Sequence, residues 1–356
     1  MPHFKFMKRE SESLTARFTV PVVSVLMALL FGWIFLGLYG IDPAETYMRM
    51  VKGAFGSKYA ISETLVKAIP LMLIGLGLSL AFRMKLWNIG AEGQLYMGAF
   101  AASGIALFYS NLPATILLPV MALAAFFAGG LWGLIPGALR AYWNVNETIT
   151  TLMLNYVAIS YVESFIFGPW KDPASMGFPL SPRFSPQAYL PTIADSRVHI
   201  GLLVAVLLAV LLYYLLNHTR WGYEVKVVGE SSESARYAGI GVAKNIMLVM
   251  LISGGIAGLA GMIEVSGITH RLQQGISPGY GYTAIIVAWL GVLNPFAIII
   301  VSILFGALLV GGFGLQIFGL PFSIVTMLQG AILFCLLGGE IFTKYRLQRV
   351  GRGINK

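Results

Sequence analysis

The sequence predicts an all-α polytopic membrane protein with about ten transmembrane helices. Of its 356 residues, 57% are hydrophobic and only 11% are charged, whereas a soluble domain carries about 25% charged residues. Apolar stretches of about 20 residues, the length that crosses a bilayer, recur along the chain. Because no polar segment is long enough to form a soluble domain, we expect a single transmembrane domain over 1–356.

Ten apolar stretches predict the individual spans. The eighth is short and contains a glycine, so it is either a full span or a broken or re-entrant element. The segment 41–60 is amphipathic and is expected to lie on the outer membrane surface. Glycines four residues apart in the fourth and seventh stretches predict close helix packing. The stretches cover approximately residues 18–39, 62–82, 91–109, 114–138, 148–167, 198–216, 246–267, 283–294, 296–314 and 321–339.

The positions of lysine and arginine predict the orientation of the chain. If the N-terminus is cytosolic and the spans alternate, most of the 24 basic residues fall on the cytosolic side, as membrane proteins prefer. Both termini are then cytosolic, with a cytosolic loop at 217–245 and a basic cytosolic tail at 341–356. The apolar run after residues 1–17 lacks a small-residue cleavage site, so it is expected to be a retained span.

The sequence contains no recognisable pattern of catalytic residues. The four histidines are scattered over termini and loops without metal-ligand spacing, so no metal site is expected. No phosphate-binding Gly-x-x-x-x-Gly-Lys-Ser/Thr loop occurs, and any pumping energy must come from a partner or an ion gradient. The net charge of +9 is assigned to membrane orientation rather than to nucleic-acid binding. We therefore expect a protein that is not an enzyme.

A polar, glycine-broken octet, Trp87–Gln94, interrupts two apolar stretches. It reads Trp-Asn-Ile-Gly-Ala-Glu-Gly-Gln. A carboxylate and two amides at or near bilayer depth are costly unless they line a wet cavity, face another protein or occupy a broken helix. The octet is therefore the first candidate functional segment.

The cytosolic loop 217–245 is the second candidate segment. Ser231 or Ser232 is suited to cap a short helix, Glu233 suits its positive end, and Gly239 or Gly241 can end it. A helix of about two turns is unstable alone in water, so it must dock against something. It could pack on its own membrane domain or insert into a soluble partner.

Three stretches carry a family resemblance. Residues 88–94 read Asn-Ile-Gly-Ala-Glu-Gly-Gln, and residues 146–156 read Asn-Glu-Thr-Ile-Thr-Thr-Leu-Met-Leu-Asn-Tyr. Both are similar to signatures of nucleoside-type permeases. Residues 229–261, which end in Ser-Gly-Gly-Ile-Ala-Gly-Leu-Ala-Gly, resemble the coupling region of a wider group. Over about residues 15–340 the chain resembles the permease subunit of a bacterial ATP-binding-cassette (ABC) importer of the branched-chain amino acid and simple-sugar group.

This resemblance implies a type II-like importer permease in the bacterial inner membrane. Two permease subunits, often paralogues, would form the pore, and an extracytoplasmic binding protein would deliver the cargo. The chain would bind no cofactor itself, since the partner ATPase subunits use the ATP. They would dock on a coupling helix that contains Ser232, Glu233, Ala235, Arg236, Ala238 and Gly239.

A nucleoside is neutral, so its path needs hydrogen-bonding groups and aromatic faces rather than a strong charge. Two alternatives compete with a role in the path: Glu147 could complement a helix capped by Asn146, and Glu92 could form an ion pair with Arg83 or Lys85. Glu163 and Glu264, near outer helix ends, could contact the binding protein. The candidate path residues are Asn88, Glu92, Gln94, Glu147 and Asn155.

Two other functions fit parts of the sequence. The same machinery could carry a simple sugar such as ribose, because the binding protein largely selects the cargo. An ion-coupled secondary transporter would need inverted repeats and buried acidic residues, and the sequence has few acidic residues within spans and no clear repeat. The nucleoside importer is therefore the favoured interpretation.

Overall fold

The computed structural model describes residues 3–8, 14–193 and 196–350, which are mostly helical. A 3₁₀ turn at Pro186–Ala188 lies in the long loop before α7, and a π-helical turn at Val265–Thr269 continues α10. The α-helices of the described residues are α1 Leu14–Leu38, α2 Pro43–Phe55, α3 Lys58–Arg83, α4 Ala91–Phe108, α5 Ala114–Trp143, α6 Glu147–Phe167, α7 Gly201–His218, α8 Arg220–Glu230, α9 Ser232–Tyr237, α10 Val242–Glu264, α11 Tyr280–Leu290, α12 Pro295–Gln316 and α13 Ser323–Lys344.

The prediction of an all-α polytopic membrane protein is confirmed. Each predicted span contains a helix, and seven of the described helices are long and apolar enough to cross a membrane. The structure adds a short antiparallel ribbon in which β1 (His3–Lys8) pairs with β2 (Tyr345–Val350). Residues 341–344 of the predicted basic tail belong to α13, 345–350 form β2, and 351–356 lie outside the described residues.

The chain forms two compact units, one from residues 1–53 and 311–356, the other from residues 54–310. In the first unit α1 packs against α13, and the Ser24 hydroxyl donates a hydrogen bond to the carbonyl of Cys335 at 3.1 Å. The Arg49 guanidinium lies 4.0 Å from the ring centroid of Phe318. The amphipathic segment predicted at 41–60 thus contains α2, whose Met50 is buried.

The second unit is built around α3. Every residue from Ala68 to Phe82 is buried, because α7, α10 and α11 pack around this helix. An α-helix that is apolar on all sides is stable only when it is enclosed in this way or exposed to lipid. The centre of the unit is therefore a fully enclosed helix, and the neighbouring elements are positioned on it.

Glycines bring α4, α5 and α10 into backbone contact, as their spacing predicts. A Cβ atom at Gly98 would lie 2.3 Å from the backbone of Gly258, and one at Gly129 would lie 2.4 Å from the carbonyl oxygen of Gly254. Such distances are shorter than real Cβ contacts, so only glycine fits. Close backbone approach of this kind holds membrane helices together where no hydrophobic effect acts between them.

The short eighth element is a half-helix. With 11 residues, α11 is about 16 Å long, roughly half of the hydrocarbon thickness of a bilayer. The Trp289 ring at its end lies 5.7 Å from Phe82 at the end of α3. Helix α11 therefore ends beside the end of α3, and the non-helical residues 270–279 precede it.

We predict that Gly258→Ala destabilises the folded protein by about 1–3 kcal/mol, because α10 must move away from α4 and α5 to make room. The measurement is the midpoint of thermal unfolding in detergent. Gly330→Ala is the matched control, since nothing lies within 4 Å of a Cβ at that position. Equal midpoints for the two variants would contradict the close-packing role.

Candidate functional site

The octet folds back into the protein at a break between α3 and α4. Lys85 adopts a left-handed conformation with φ 56°, and the amides of Met84 and Lys85 donate back to the last turn of α3. Asn88 is thereby brought to Ser253 in the middle of α10. A Cβ at Gly77 would also touch Ser253, so Asn88 lies about 9 Å inside the end of α3.

Asn88 and Gln94 form a reciprocal pair of amides. The Asn88 Nδ2 group donates to Gln94 Oε1 at 3.1 Å, and the Gln94 Nε2 group donates to Asn88 Oδ1 at 3.0 Å. Asn88 also donates to the hydroxyl of Ser253 at 3.1 Å. Both amides are buried, and buried polar groups are stable when they are paired in this way. The pair therefore joins the octet to α4 and α10.

Glu92 caps the buried N-terminus of the half-helix α11. Its Oε2 atom accepts a hydrogen bond from the Gly281 amide at 2.7 Å. The hydroxyl of Ser277 accepts from the amides of Gly279 at 3.1 Å and Tyr280 at 2.9 Å. A carboxylate beside a helix N-terminus is stabilised by the helix dipole and by the amides that have no partner within the helix. A Cβ at Gly281 would lie 2.3 Å from the Glu92 amide nitrogen, so this approach requires glycine.

The alternative ion pair of Glu92 with Arg83 or Lys85 is wrong. The Arg83 guanidinium donates instead to the carbonyl of Leu293 at 2.9 Å, and Lys85 is exposed at the turn. Because the octet folds inward after this turn, Glu92 is carried away from both basic residues and toward α11.

The second sequence motif, at the start of α6, binds the backbone of the first. Asn155 accepts from the Gly93 amide at 2.8 Å and donates to the carbonyl of Ile89 at 2.9 Å and to the hydroxyl of Tyr282 at 3.2 Å. The Thr151 hydroxyl accepts from the Ile89 amide at 3.2 Å. The two motifs are therefore one structural unit.

Glu147 links three segments at one end of this unit. It accepts from the Trp87 amide at 3.4 Å and forms an ion pair with Arg140 at 3.4 Å. Asn146 caps α6 by accepting from the Thr148 amide at 3.0 Å, as predicted. Glu147 therefore both complements the start of α6 and holds the octet.

The structure brings the five candidate path residues, Asn88, Glu92, Gln94, Glu147 and Asn155, into one buried network. Their side chains form hydrogen bonds with other protein groups. Sequence reasoning missed Thr151, Ser253, Ser277 and Tyr282, which complete the network. Of the aromatic residues nearby, Trp87 stacks on Trp289 at 5.5 Å rather than facing an open path.

The predicted coupling helix is present as α9, which is preceded by a second helix, α8. Ser231 caps α9 by accepting from the Ser234 amide at 3.1 Å, and Gly239 follows it with φ +75°. Ala235 is fully buried in a hydrophobic cluster to which α3, α8 and α10 also contribute, whereas Tyr237 is 90% exposed. The exposed candidates are Ser232, Glu233, Arg236, Ala238 and Gly239.

The two acidic residues assigned to outer helix ends differ in their surroundings. Glu264 is buried and lies 3.6 Å from the Lys67 ammonium group, so it is not on a surface that could meet a binding protein. Glu163 is half-buried. Within the part of the chain that the structure describes, no cluster of histidine, cysteine or acidic residues could hold a metal ion.

Two of the histidines lie close together in the fold although 71 positions separate them. His199, in the loop before α7, is fully buried and accepts from the Gly201 amide at 3.3 Å. Burial, together with the nearby His270, lowers the pKa of His199 to about 4. The His199 imidazole is therefore neutral at pH 7 and serves packing in this loop.

Residues 60–337 match the family described as "branched-chain amino acid transport system / permease component". The chain is 39% identical to the glucose ABC transporter permease protein TsgB13 of Haloferax volcanii, covering 92% of this chain and 89% of that protein. It is 36% identical to the guanosine ABC transporter permease protein NupP of Bacillus subtilis, covering 88% of this chain and 91% of that protein. It is 29% identical to the nucleoside ABC transporter permease protein NupB of Lactococcus lactis, covering 90% of each chain.

Each of these three organisms has a second permease that resembles the chain less closely. The guanosine permease NupQ is 28% identical over 69% of this chain and 79% of its own length. The nucleoside permease NupC is 26% identical over 69% of this chain and 79% of its own length. The putative glucose permease TsgC13 is 25% identical over 70% of this chain and 75% of its own length.

The fold and these relatives define an ABC transporter permease, a multi-pass protein of the cytoplasmic membrane that translocates cargo and does not itself catalyse a reaction. The chain belongs to the family of branched-chain amino acid transport system permease components, and it is of the nucleoside type within that family. Membership implies that it works with ATPase subunits and a substrate-binding protein.

We predict that Glu92→Ala lowers the free energy of unfolding by about 1–3 kcal/mol, because the buried Gly281 amide loses its acceptor. Glu92→Gln keeps an acceptor oxygen and should lose much less. Thermal unfolding of the purified variants in detergent measures both, and Glu163→Ala serves as a control for loss of an acid from a span. A stable Glu92→Ala protein would refute the capping role.

Proposed function

We propose that this protein is the permease subunit of an ABC importer and forms part of the path for nucleosides across the cytoplasmic membrane. The observation that supports this most is the coincidence of two helix breaks. The start of α4, which forms the second half of the octet, and the start of α11 meet inside the protein through Glu92 and Gly281. Transport proteins use such broken helices to place polar backbone and side-chain groups at substrate depth.

The chemistry of the network suits a neutral, hydrogen-bonding cargo. It offers amide and hydroxyl groups that both donate and accept, a carboxylate that accepts, and the aromatic ring of Tyr282. In the closed arrangement these groups satisfy one another, so cargo would exchange with protein partners rather than bind tightly. Weak, exchangeable binding is what a translocation path requires.

Two subunits are needed to complete the path, and we infer that the second is a paralogue. Relatives in three organisms occur as two different permeases that share a described cargo, one more similar to this chain than the other. A heterodimer of this chain with a second permease fits that pattern better than a homodimer.

The ATPase is expected to act on α8 and α9. The outward face of α9 presents Tyr237, Glu233 and Arg236 to solvent, while its other face is fixed to the protein through Ala235. A Cβ at Gly229 of α8 would lie 2.0 Å from the carbonyl oxygen of Arg83, so α8 rests directly on the end of α3. Movement of the ATPase would thus reach the central helix through backbone contact.

This assignment places the end of the unit that carries α8 and α9 in the cytosol. We propose that the N-terminus and the C-terminus lie on the same side of the membrane as each other, because β1 and β2 are paired. Extracytoplasmic cargo would then enter from the end of the unit that contains Lys58.

A simple-sugar importer is the second candidate. It is favoured by the 39% identity to a glucose permease, which exceeds the 36% identity to the guanosine permease. Both cargoes are neutral and rich in hydroxyl groups, so the same permease architecture suits either.

We predict that proteoliposomes containing this chain, its partner permease, the ATPase and the binding protein import radiolabelled guanosine when ATP is enclosed. Glucose is assayed in parallel. ATP-dependent uptake of guanosine but not glucose supports the nucleoside function, and uptake of glucose alone supports the sugar function. Uptake that survives removal of the ATPase would argue against an ABC importer.

We also predict that Tyr237→Ala lowers transport at least about fivefold while the fold remains intact, because a large exposed side chain at a docking interface contributes much of its binding energy. Tyr142→Ala removes another exposed tyrosine and is the control. Transport and ATP hydrolysis are measured together. Ala235→Leu should instead reduce folded yield, since Ala235 is buried.

A further inference from the structure

A polar stripe descends along α3 from the end opposite to α8 and α9. Tyr59, Glu63 and Lys67 follow each other at intervals of four residues, so they lie on one face and cover about 12 Å of helix. Arg197 lies beside the upper two, with its Nη1 atom 2.8 Å from Glu63 Oε1 and 3.0 Å from the Tyr59 hydroxyl. Tyr59 is 62% exposed, whereas the side chains of Glu63 and Lys67 are only 16% and 20% exposed.

The stripe ends at a buried group of oxygen atoms. The Lys67 ammonium lies 3.6 Å from Glu264 Oε1 and 5.7 Å from the ring centroid of Tyr280. Glu264 Oε2 and the Tyr280 hydroxyl are both buried, and neither has a hydrogen-bond partner within the described residues. Glu264 is the last residue of α10 and directly precedes the π-helical turn Val265–Thr269.

Unsatisfied groups of this kind are costly inside a membrane protein. A buried carboxylate oxygen and a phenol without partners each forfeit the hydrogen bonds that water would provide. Ionisable residues within the membrane mark functional positions for that reason, and π-turns within helices are frequent at such positions. The arrangement therefore calls for a ligand that supplies the missing hydrogen bonds.

The local charges specify the chemistry of that ligand. Lys67 disfavours a cation, and Glu264 disfavours an anion, so the pair leaves a nearly neutral site. The carboxylate oxygen accepts, the ammonium donates, and the Tyr280 hydroxyl can do both. A neutral molecule with adjacent hydroxyl groups matches this set.

We propose that Glu264, Tyr280 and Lys67 form a subsite for the vicinal hydroxyl groups of the cargo sugar, the ribose of a nucleoside or the ring of a hexose. This inference rests on the proposed function and names the part of the cargo that the chain recognises. The subsite adjoins the octet network, because Tyr280 is followed by Gly281, the residue that Glu92 caps. Cargo held at Tyr280 would thus lie at the start of α11, next to the residue that Glu92 caps.

The test measures the interaction between a side chain and one cargo hydroxyl. Uptake of guanosine and of 2′-deoxyguanosine, each at saturating concentration, is compared in proteoliposomes with the complete transporter. The same is done for D-glucose and 2-deoxy-D-glucose. Because the binding protein is the same throughout, its own preference cancels when the hydroxyl-to-deoxy rate ratio of a variant is divided by that of the unmodified protein.

Glu264→Gln and Tyr280→Phe should lower the hydroxyl-to-deoxy ratio by about fivefold to tenfold, as expected for loss of a hydrogen bond to a buried partner. Tyr280→Phe removes only a hydroxyl that has no protein partner, so it should fold normally. Glu163→Gln, on α6, is the matched control and should leave the ratio unchanged.

Equal loss of uptake for both cargoes of a pair would show that Glu264 and Tyr280 serve only the fold, which overturns the subsite. An unchanged ratio in both variants would overturn it as well. Import of glucose without guanosine would refute the nucleoside function, while a lowered ratio for the glucose pair would still support the subsite. A transporter that imports neither cargo would refute both proposals.

Discussion

The structure depends on hydrogen-bond partners for the first backbone amides of α11, a helix that begins inside the protein. The first amides of α11 have no partners within that helix, and water is excluded around them. Ser277 and Glu92 accept their hydrogen bonds. Glu92 can do so only because the octet turns back at Lys85 and because Gly281 allows contact with the Glu92 backbone. One buried carboxylate thereby fixes the relative positions of α3, α4 and α11.

The same constraint explains the second motif. Once the octet leaves helical geometry, its own amides and carbonyls need partners. Asn155 and Thr151 of α6 supply them at Ile89 and Gly93. A motif that resembles a substrate site by composition is thus also the support of an irregular backbone. The two roles are compatible if transport opens the network, since cargo would then replace protein partners.

The helices around this unit are attached to it in two different ways. Gly98, Gly129 and Gly258 hold α4, α5 and α10 in rigid backbone contact, which favours movement of these helices as one body. Helices α8 and α9 are small, and their attachment runs through Gly229 and Ala235 to the ends of α3 and α10. A force applied to α9 therefore reaches the helix core without an intervening flexible linker.

The sequence by itself determined the class of the protein, because hydrophobic length and periodicity depend only on neighbouring residues. It located every span, the short eighth element, the caps at Ser231 and Asn146, and the close-packing glycines. The octet was likewise recognisable, since polar groups within apolar stretches are rare.

The tertiary structure alone decided what those polar groups contact. Glu92 is a short distance in sequence from Arg83, yet it caps a helix that begins 188 positions later, at Tyr280. Ala235 looks like an exposed coupling residue and is buried, and Glu264 looks peripheral and pairs with Lys67. Contacts of this kind join residues far apart in the chain, and they are fixed by how the helices pack. No local pattern encodes them, because the same residue types would suit several partners until the packing brings one within hydrogen-bonding distance.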